Sequence, residues 1–351
     1  MKTKAAVLRE LGRPLEMMML DVPKPGFGQV LVEVAFSGVC RSQLMEVRGL
    51  KGPDPYVPHC LGHEGSGVVI EAGPGVSKVK PGDHVVLSWI KGLGADVSST
   101  VYRSGNGPVN SGAISTFMDL TITSENRLTP VSHTMPLREA ALLGCAIPTG
   151  AGSVLKLAEV RPGESVAVFG AGGVGLSAIA GACLANAFPV VAVDIFDHKL
   201  EQAKHLGATH GVNAQEAGAF DTLMEIAGGS GFDCSVESAG SIRSMEMAIA
   251  VAHQQRGKVI VAGNLPKGEV VSVDPFDLIC GKRILGSWGG GTDPDKDIPR
   301  YAALFLADKL PLKRWITHTF PLEDINQALD ALEKGEVGRA LIDNRSKVDS
   351  V

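Results

Sequence analysis

One stretch constrains this chain more than any other: residues 165–194, which read SVAVFGAGGVGLSAIAGACLANAFPVVAVD. It opens on a short apolar run of Val and Phe, the length of a buried strand. Gly170-Ala171-Gly172-Gly173-Val174-Gly175 follows as a G-x-G-x-x-G. An Ala-, Leu- and Ile-rich segment of helical length comes next, stopped near Pro189, and then a β-rich run that Asp194 closes. Strand, glycine turn, helix, strand and acid, in that order, make the dinucleotide-binding βαβ fingerprint. In this reading Gly170 makes the tight turn and Gly172 lets backbone N–H groups approach a pyrophosphate. Gly175 lets the helix pack close to the strand, and the helix N-terminus adds partial positive charge beneath the phosphates. Asp194 accepts from the adenosine ribose hydroxyls and repels a 2′-phosphate, which predicts NAD(H) over NADP(H). The stretch 165–193 carries no charge, as a membrane span would. Its five glycines, one proline and change from strand-like to helix-like composition exclude a continuous helix.

A chain of 351 residues is long enough for two domains, and 43 glycines suit an α/β protein with many turns. The net charge of -5 gives no electrostatic reason to expect nucleic acid or an anionic membrane as partner. Arg9 and Glu10 interrupt any signal-peptide core, so a cytoplasmic location is expected. The cysteines at 40, 60, 145, 183, 234 and 280 are scattered, with no C-x-x-C among them. A disulfide framework is not expected, and the common structural-zinc patterns are missing. Any metal site must draw its ligands from distant segments.

Residues 1–90 read as all-β, short apolar runs punctuated by Pro25-Gly26, Gly73-Pro74-Gly75 and Pro81-Gly82, which suggests a small barrel. Residues 91–110 turn to Gly, Ser, Thr and Asn and read as an exposed loop or shortened lobe. Beyond Asp194, strand candidates at 234–237, 258–261 and 283–285 alternate with helical segments, the pattern of a doubly wound parallel sheet. Helices over 299–310 and 322–334 follow, the second with Ile325, Leu329 and Leu332 on one face, and then a strand over 339–342. This predicts a Rossmann domain over 149–289 and a second domain built from 1–148 completed by 290–351.

Chemistry is concentrated in three further segments: Gly38-Val39-Cys40-Arg41-Ser42, Leu61-Gly62-His63-Glu64-Gly65 and Gly144-Cys145-Ala146-Ile147-Pro148-Thr149-Gly150. Singly, such a Cys or His is ordinarily a buried small residue or a surface imidazole. Together, Cys, His and Cys are donors that Zn²⁺ accepts in catalytic sites, with a fourth position open. Spacing alone does not establish that they converge.

With these motifs, and with V-K-P-G-D-H-V over 79–85, the chain resembles the zinc-dependent medium-chain alcohol dehydrogenases over essentially its whole length. The resemblance implies a GroES-like β-barrel catalytic domain completed by the tail, with NAD in the cleft beside the Rossmann domain. It implies one catalytic zinc on Cys40, His63 and Cys145, with Glu64 able to approach or replace bound solvent. Ser42 would take the alcohol proton, Arg41 and Arg339 would contact the pyrophosphate, and Lys199 the adenosine ribose. Thr149 and Val174 would lie near the nicotinamide, and Trp89 and Trp288 would wall the substrate pocket. The substrate would be a small alcohol or carbonyl compound, and the chain a homo-oligomer, dimer or tetramer.

Three departures from that family stand out. Residues 91–110 contain no Cys, so the lobe that holds a structural zinc lacks its ligands. Gln43 stands where Asp is frequent, and Met45 where many relatives place a terminal relay His. Two rival readings are a zinc-free reductase of the same superfamily and a dinucleotide-binding protein that has lost turnover.

Overall fold

The charge-free stretch divides where its composition changes, into strand Val166–Phe169, helix Gly173–Leu184 and strand Val190–Asp194. The computed structural model describes residues 1–345. Gly170 takes φ +91°, the left-handed conformation that favours glycine, as the chain leaves the first strand. At Gly175 a Cβ would fall on the Gly170 carbonyl oxygen, so only glycine lets the helix sit this close.

These elements form the centre of a six-stranded parallel sheet ordered His210–Asn213, Val190–Asp194, Val166–Phe169, Cys234–Glu237, Lys258–Val261, Arg283–Gly286. Strand order reverses beside Val166–Phe169, which puts the glycine turn at the topological switch point, where such sheets bind ligands. Phe169, Val191, Val193 and Val259 pack there with Leu223, Ala248 and Ile249 from helices. Because helices cover the faces, the inner strands read as continuous apolar runs rather than alternating ones. The unit spans Ala146–Thr292.

The other unit joins Met1–Cys145 to the chain from Asp293 onward. One part is a closed barrel of Lys2–Leu8, Glu16–Asp21, Val101–Ser104, Gly107–Asn110 and His59–Cys60. Two expectations are corrected here. Residues 101–110, read as loop, form a hairpin whose Tyr102 and Val109 are buried in the barrel core. Its alternation is hidden because one side chain of each strand carries the burial while Arg, Ser and Asn surround it. The N-terminal segment is also not all-β: Arg41–Val47 is a helix that buries Leu44, Met45 and Val47.

A seven-stranded sheet makes up the rest. Ala340–Asp343 pairs antiparallel with Gln29–Gly38 and parallel with His318–Pro321, so the tail completes this unit. Ile325, Ala328 and Leu329 of helix Ile325–Glu333 join Leu8, Leu44 and Val47 in one core. The preceding helix is Pro294–Leu306, with Pro299 an interior residue rather than its start.

Residues 91–97 are held without sulfur or imidazole. Buried Glu125 accepts from the Ser77 N–H at 2.5 Å and the Ala95 N–H at 3.0 Å, and also from the Lys78 N–H. Asp295 accepts from Leu93 N–H at 2.5 Å and pairs with Lys78, whose Nζ donates to the Leu93 carbonyl at 3.1 Å. Among the described residues no single helix is long and apolar enough to cross a membrane.

Candidate active site

Cys40 precedes helix Arg41–Val47, and its backbone N–H donates to Gln43 Oε1 at 3.1 Å. The other end of this buried carboxamide meets His63 Nδ1. His63 follows Gly62, whose φ of +95° turns the chain into strand Glu64–Ala72; a Cβ there would lie 2.7 Å from the Phe117 nitrogen. Cys145 ends the short helical stretch Ala141–Gly144. These segments bring one donor atom each from Cys40, His63, Glu64 and Cys145 to within 4.8 Å of one another.

The cluster is charged and short of partners. The Cys40 thiol is held well below the ordinary range by a hydrogen bond from Cys145, then by His63 and Arg339, against the effect of burial. Cys145, the partner in that bond and itself buried, is pushed up. Burial pushes Glu64 up as well, with the Cys40 charge, and Arg339 opposes both. His63 Nε2 and Glu64 Oε2 are buried with no hydrogen-bond partner among the described residues. Unmet polar atoms at such depth are costly, and here two belong to one cluster of donors.

Arg339, 4% exposed, donates to Glu64 Oε1 and to the Val39 carbonyl at 3.1 Å. Burial disfavours its charge, but Glu64, Cys40 and Cys145 hold the proton in place. The guanidinium keeps its charge, because it does not surrender its proton in a protein. Gly38 leaves the room: a Cβ there would lie 2.5 Å from Glu64 Cδ and 2.7 Å from Arg339 Nη2. Ser37 Oγ and Thr116 Oγ1 donate to the Glu64 carbonyl at 3.1 and 3.0 Å. The sequence reading missed this bracket, since hydroxyls 79 positions apart carry no motif.

Beside His63 lies a cavity of 270 Å³ lined by Trp89, Gln43, Glu46, His59, Ile114 and Arg127, among others. The Trp89 and His63 rings stand in a T-shaped arrangement, centroids 6.5 Å apart. Arg127 spends one nitrogen on the Trp89 carbonyl, and its Nε is buried with no hydrogen-bond partner among the described residues. Ser42 is half-buried and accepts from Lys51 Nζ at 2.9 Å; Arg41 is exposed, and Met45 is 3% exposed. A second gathering, Glu46, Asp54 and His59, also has its donor atoms within 4.8 Å.

The remaining expected residues lie in the Ala146–Thr292 unit. Asp194 is fixed by backbone: Oδ2 accepts from Ala171 N–H at 2.7 Å, and Oδ1 from Ile195 and Phe196 N–H at 2.8 and 3.1 Å. Gly172 has open space where a Cβ would be, and Val174 lies in the first turn of the helix behind it. Lys199 Nζ sits 4.8 Å above the Phe196 ring. The buried Thr149 hydroxyl has no hydrogen-bond partner among the described residues, and Trp288 is 80% exposed.

This arrangement matches two family models, the alcohol dehydrogenase GroES-like domain over residues 26–133 and the zinc-binding dehydrogenase over 173–307. The S-(hydroxymethyl)glutathione dehydrogenase of Synechocystis sp. is 33% identical, the match covering 97% of this chain and 100% of that one. Its counterpart from Paracoccus denitrificans is 32% identical over the same shares. Two solved structures each align over 98% of this chain and 99% of their own. The alcohol dehydrogenase zinc-binding domain protein from Burkholderia ambifaria gives a TM-score of 0.90 at 33% identity. Benzyl alcohol dehydrogenase from Acinetobacter calcoaceticus gives 0.88 at 32%. The chain belongs to the zinc-binding alcohol dehydrogenase family and is an alcohol oxidoreductase.

Proposed function

We propose that this enzyme moves a hydride between a small alcohol or carbonyl compound and NAD(H), with one zinc ion per chain held by Cys40, His63 and Cys145. The observation that carries the reading is the buried donor cluster with its unmet His63 Nε2 and Glu64 Oε2. Two thiols and an imidazole are a catalytic zinc's donor set, and tetrahedral coordination needs donors roughly 3.5 Å apart, inside the observed spread. Zinc bound there supplies a Lewis acid for a substrate oxygen.

The side chains divide the remaining work. For Nε2 to offer a lone pair, the His63 proton must sit on Nδ1, and turning the Gln43 oxygen toward it gives up the hydrogen bond that this oxygen now accepts from the Cys40 N–H. Glu64 is kept beside the site by Arg339 and can approach or replace solvent at the fourth position. Ser42 passes the proton of the substrate oxygen. Trp89 walls the cavity, and Trp288, open on its own unit, is the second proposed wall.

The nucleotide-binding unit fits NAD(H), which carries the hydride. The open space at Gly172 and the bare helix N-terminus suit a pyrophosphate, and Asp194 is presented for a ribose diol. Lys199 is proposed at the adenosine ribose, Thr149 and Val174 at the nicotinamide, and Arg41 at the pyrophosphate. Arg339 is proposed there too, although in this structure its guanidinium is committed to Glu64. Arg283–Gly286 ends the parallel sheet with one side unpaired among the described residues, and Leu285, Phe276 and Ile279 are exposed. That edge supports self-association.

Zinc content and turnover across an alcohol panel that includes benzyl alcohol and S-(hydroxymethyl)glutathione test the reading, with NAD⁺ and NADP⁺ compared by kcat/KM. Zinc-dependent oxidation that favours NAD⁺ is expected. Turnover without zinc would remove the metal assignment, and a clear NADP⁺ advantage would remove the role of Asp194.

A further inference from the structure

Ser42 has a neighbour that the sequence did not announce. Lys51 Nζ donates to Ser42 Oγ at 2.9 Å and to Glu46 Oε2 at 2.9 Å. The other Glu46 oxygen lies 3.7 Å from His59 Nε2, which stands 2.8 Å from Asp54 Oδ2. His59 Nδ1 faces the Cys60 carbonyl at 3.1 Å. Polar groups therefore run without an apolar gap from Ser42 to solvent, which reaches 41% of the Lys51 side chain. Helix Arg41–Val47 contributes Ser42 and Glu46, and the segment that follows it contributes Asp54 and His59. Met45, on the same helix, is buried and has no titratable atom to offer.

An ammonium has three N–H donors and no lone pair, so in this arrangement Lys51 gives protons and does not receive them. Its bond to Ser42 Oγ occupies that oxygen and leaves the Ser42 O–H as the donor toward a substrate. We propose that Lys51, acting through Ser42 and held by Glu46, is the proton donor for carbonyl reduction. This rests on the reading of the site as a hydride-transfer centre. As the hydride of NADH reaches the carbonyl carbon, the C=O π pair moves to oxygen, which takes the Ser42 proton. The Nζ–H bond breaks as a new Oγ–H bond forms, and solvent returns a proton to the neutral amine. The balance is carbonyl, NADH and one solvent proton giving alcohol and NAD⁺. Oxidation runs the path backward, Ser42 taking the alcohol proton as its own passes to a neutral Lys51 amine.

Single-turnover hydride transfer, followed by NADH absorbance in both directions from pH 6 to pH 10, tests this with Lys51→Met, Lys51→Arg and Ser42→Ala. Removing an acid–base group typically costs about 10²–10⁴-fold. Lys51→Met should lower the reduction rate by about a hundredfold and change the pH profile of both directions, with zinc content and KM unchanged. Lys51→Arg should fail to rescue, because a guanidinium keeps the charge and the donors but does not release its proton. Reduction by Lys51→Arg or Lys51→Met at the wild-type rate, or an unchanged pH profile, would overturn the proposal. Wild-type protein that moves no hydride at all would instead overturn the hydride-transfer reading beneath it.

Discussion

Two regions of the barrel-containing unit meet the same need, pinning chain segments together, by opposite means. At the site, four donors from distant segments gather in a buried pocket and leave His63 Nε2 and Glu64 Oε2 unmet. Around residues 91–97, Glu125, Lys78 and Asp295 tie loop backbone with hydrogen bonds and an ion pair that satisfy one another. Burial works to raise Glu125, but the Ala95, Ser77 and Lys78 N–H groups hold its carboxyl below the usual range. A carboxylate ringed by backbone donors is a closed structural device. A cluster with unmet donors is complete only with a ligand. Around residues 91–97 the carboxylate clamp does the holding.

The sharpest way to break this contrast is to cut one donor on each side. Cys145→Ala should abolish zinc retention and lower alcohol turnover by about a thousandfold or more, since the metal supplies several kcal/mol of charge stabilisation. Circular dichroism should show the fold retained, because a catalytic metal need not be a folding staple. Loss of fold would make the two regions alike.

Glu125→Gln should do the reverse. Hydrogen bonds to a charged group contribute about 1.5–3 kcal/mol, and urea unfolding should report a loss of that order at unchanged zinc content. The sign with pH follows from the depressed carboxyl. Its contribution is full above the ordinary Glu value of about 4.3 and is lost as pH falls through the lower folded value. The stability gap between wild type and Glu125→Gln should therefore close in acid, and a gap independent of pH would contradict the clamp.

The smallest expected effect is at Gln43. A carboxylate on His63 Nδ1 makes a more basic ligand than an amide does, and such partners change metal affinity by about 10–100-fold. Gln43→Asp should tighten zinc binding toward the lower figure, as competition with a chelator would show, and leave urea stability nearly unchanged.

How much of this was legible in the sequence varies by region. The glycine turn and its flanking strands could be read because turn, close packing and acid fall at fixed local spacings. The three zinc-ligand candidates could be named from short motifs, but their convergence depends on strands that pair across the barrel unit. The hairpin 101–110 was misread because only Tyr102 and Val109 enter the core, too few to show a period. Lys51 and Arg339 were opaque in a different way. A lysine on the surface side of a turn carries no signal, and the pairing of Arg339 with Glu64 spans 275 positions.

The central claim, one metal-dependent region and one that needs none, is tested most directly by counting metal. Protein loaded with excess zinc, freed of loose ions by desalting and measured by elemental analysis, should hold one zinc per chain. Cys145→Ala should hold none, and Glu125→Gln should still hold one. Two tightly held zinc ions per chain, or one that survives the loss of Cys145, would contradict the account.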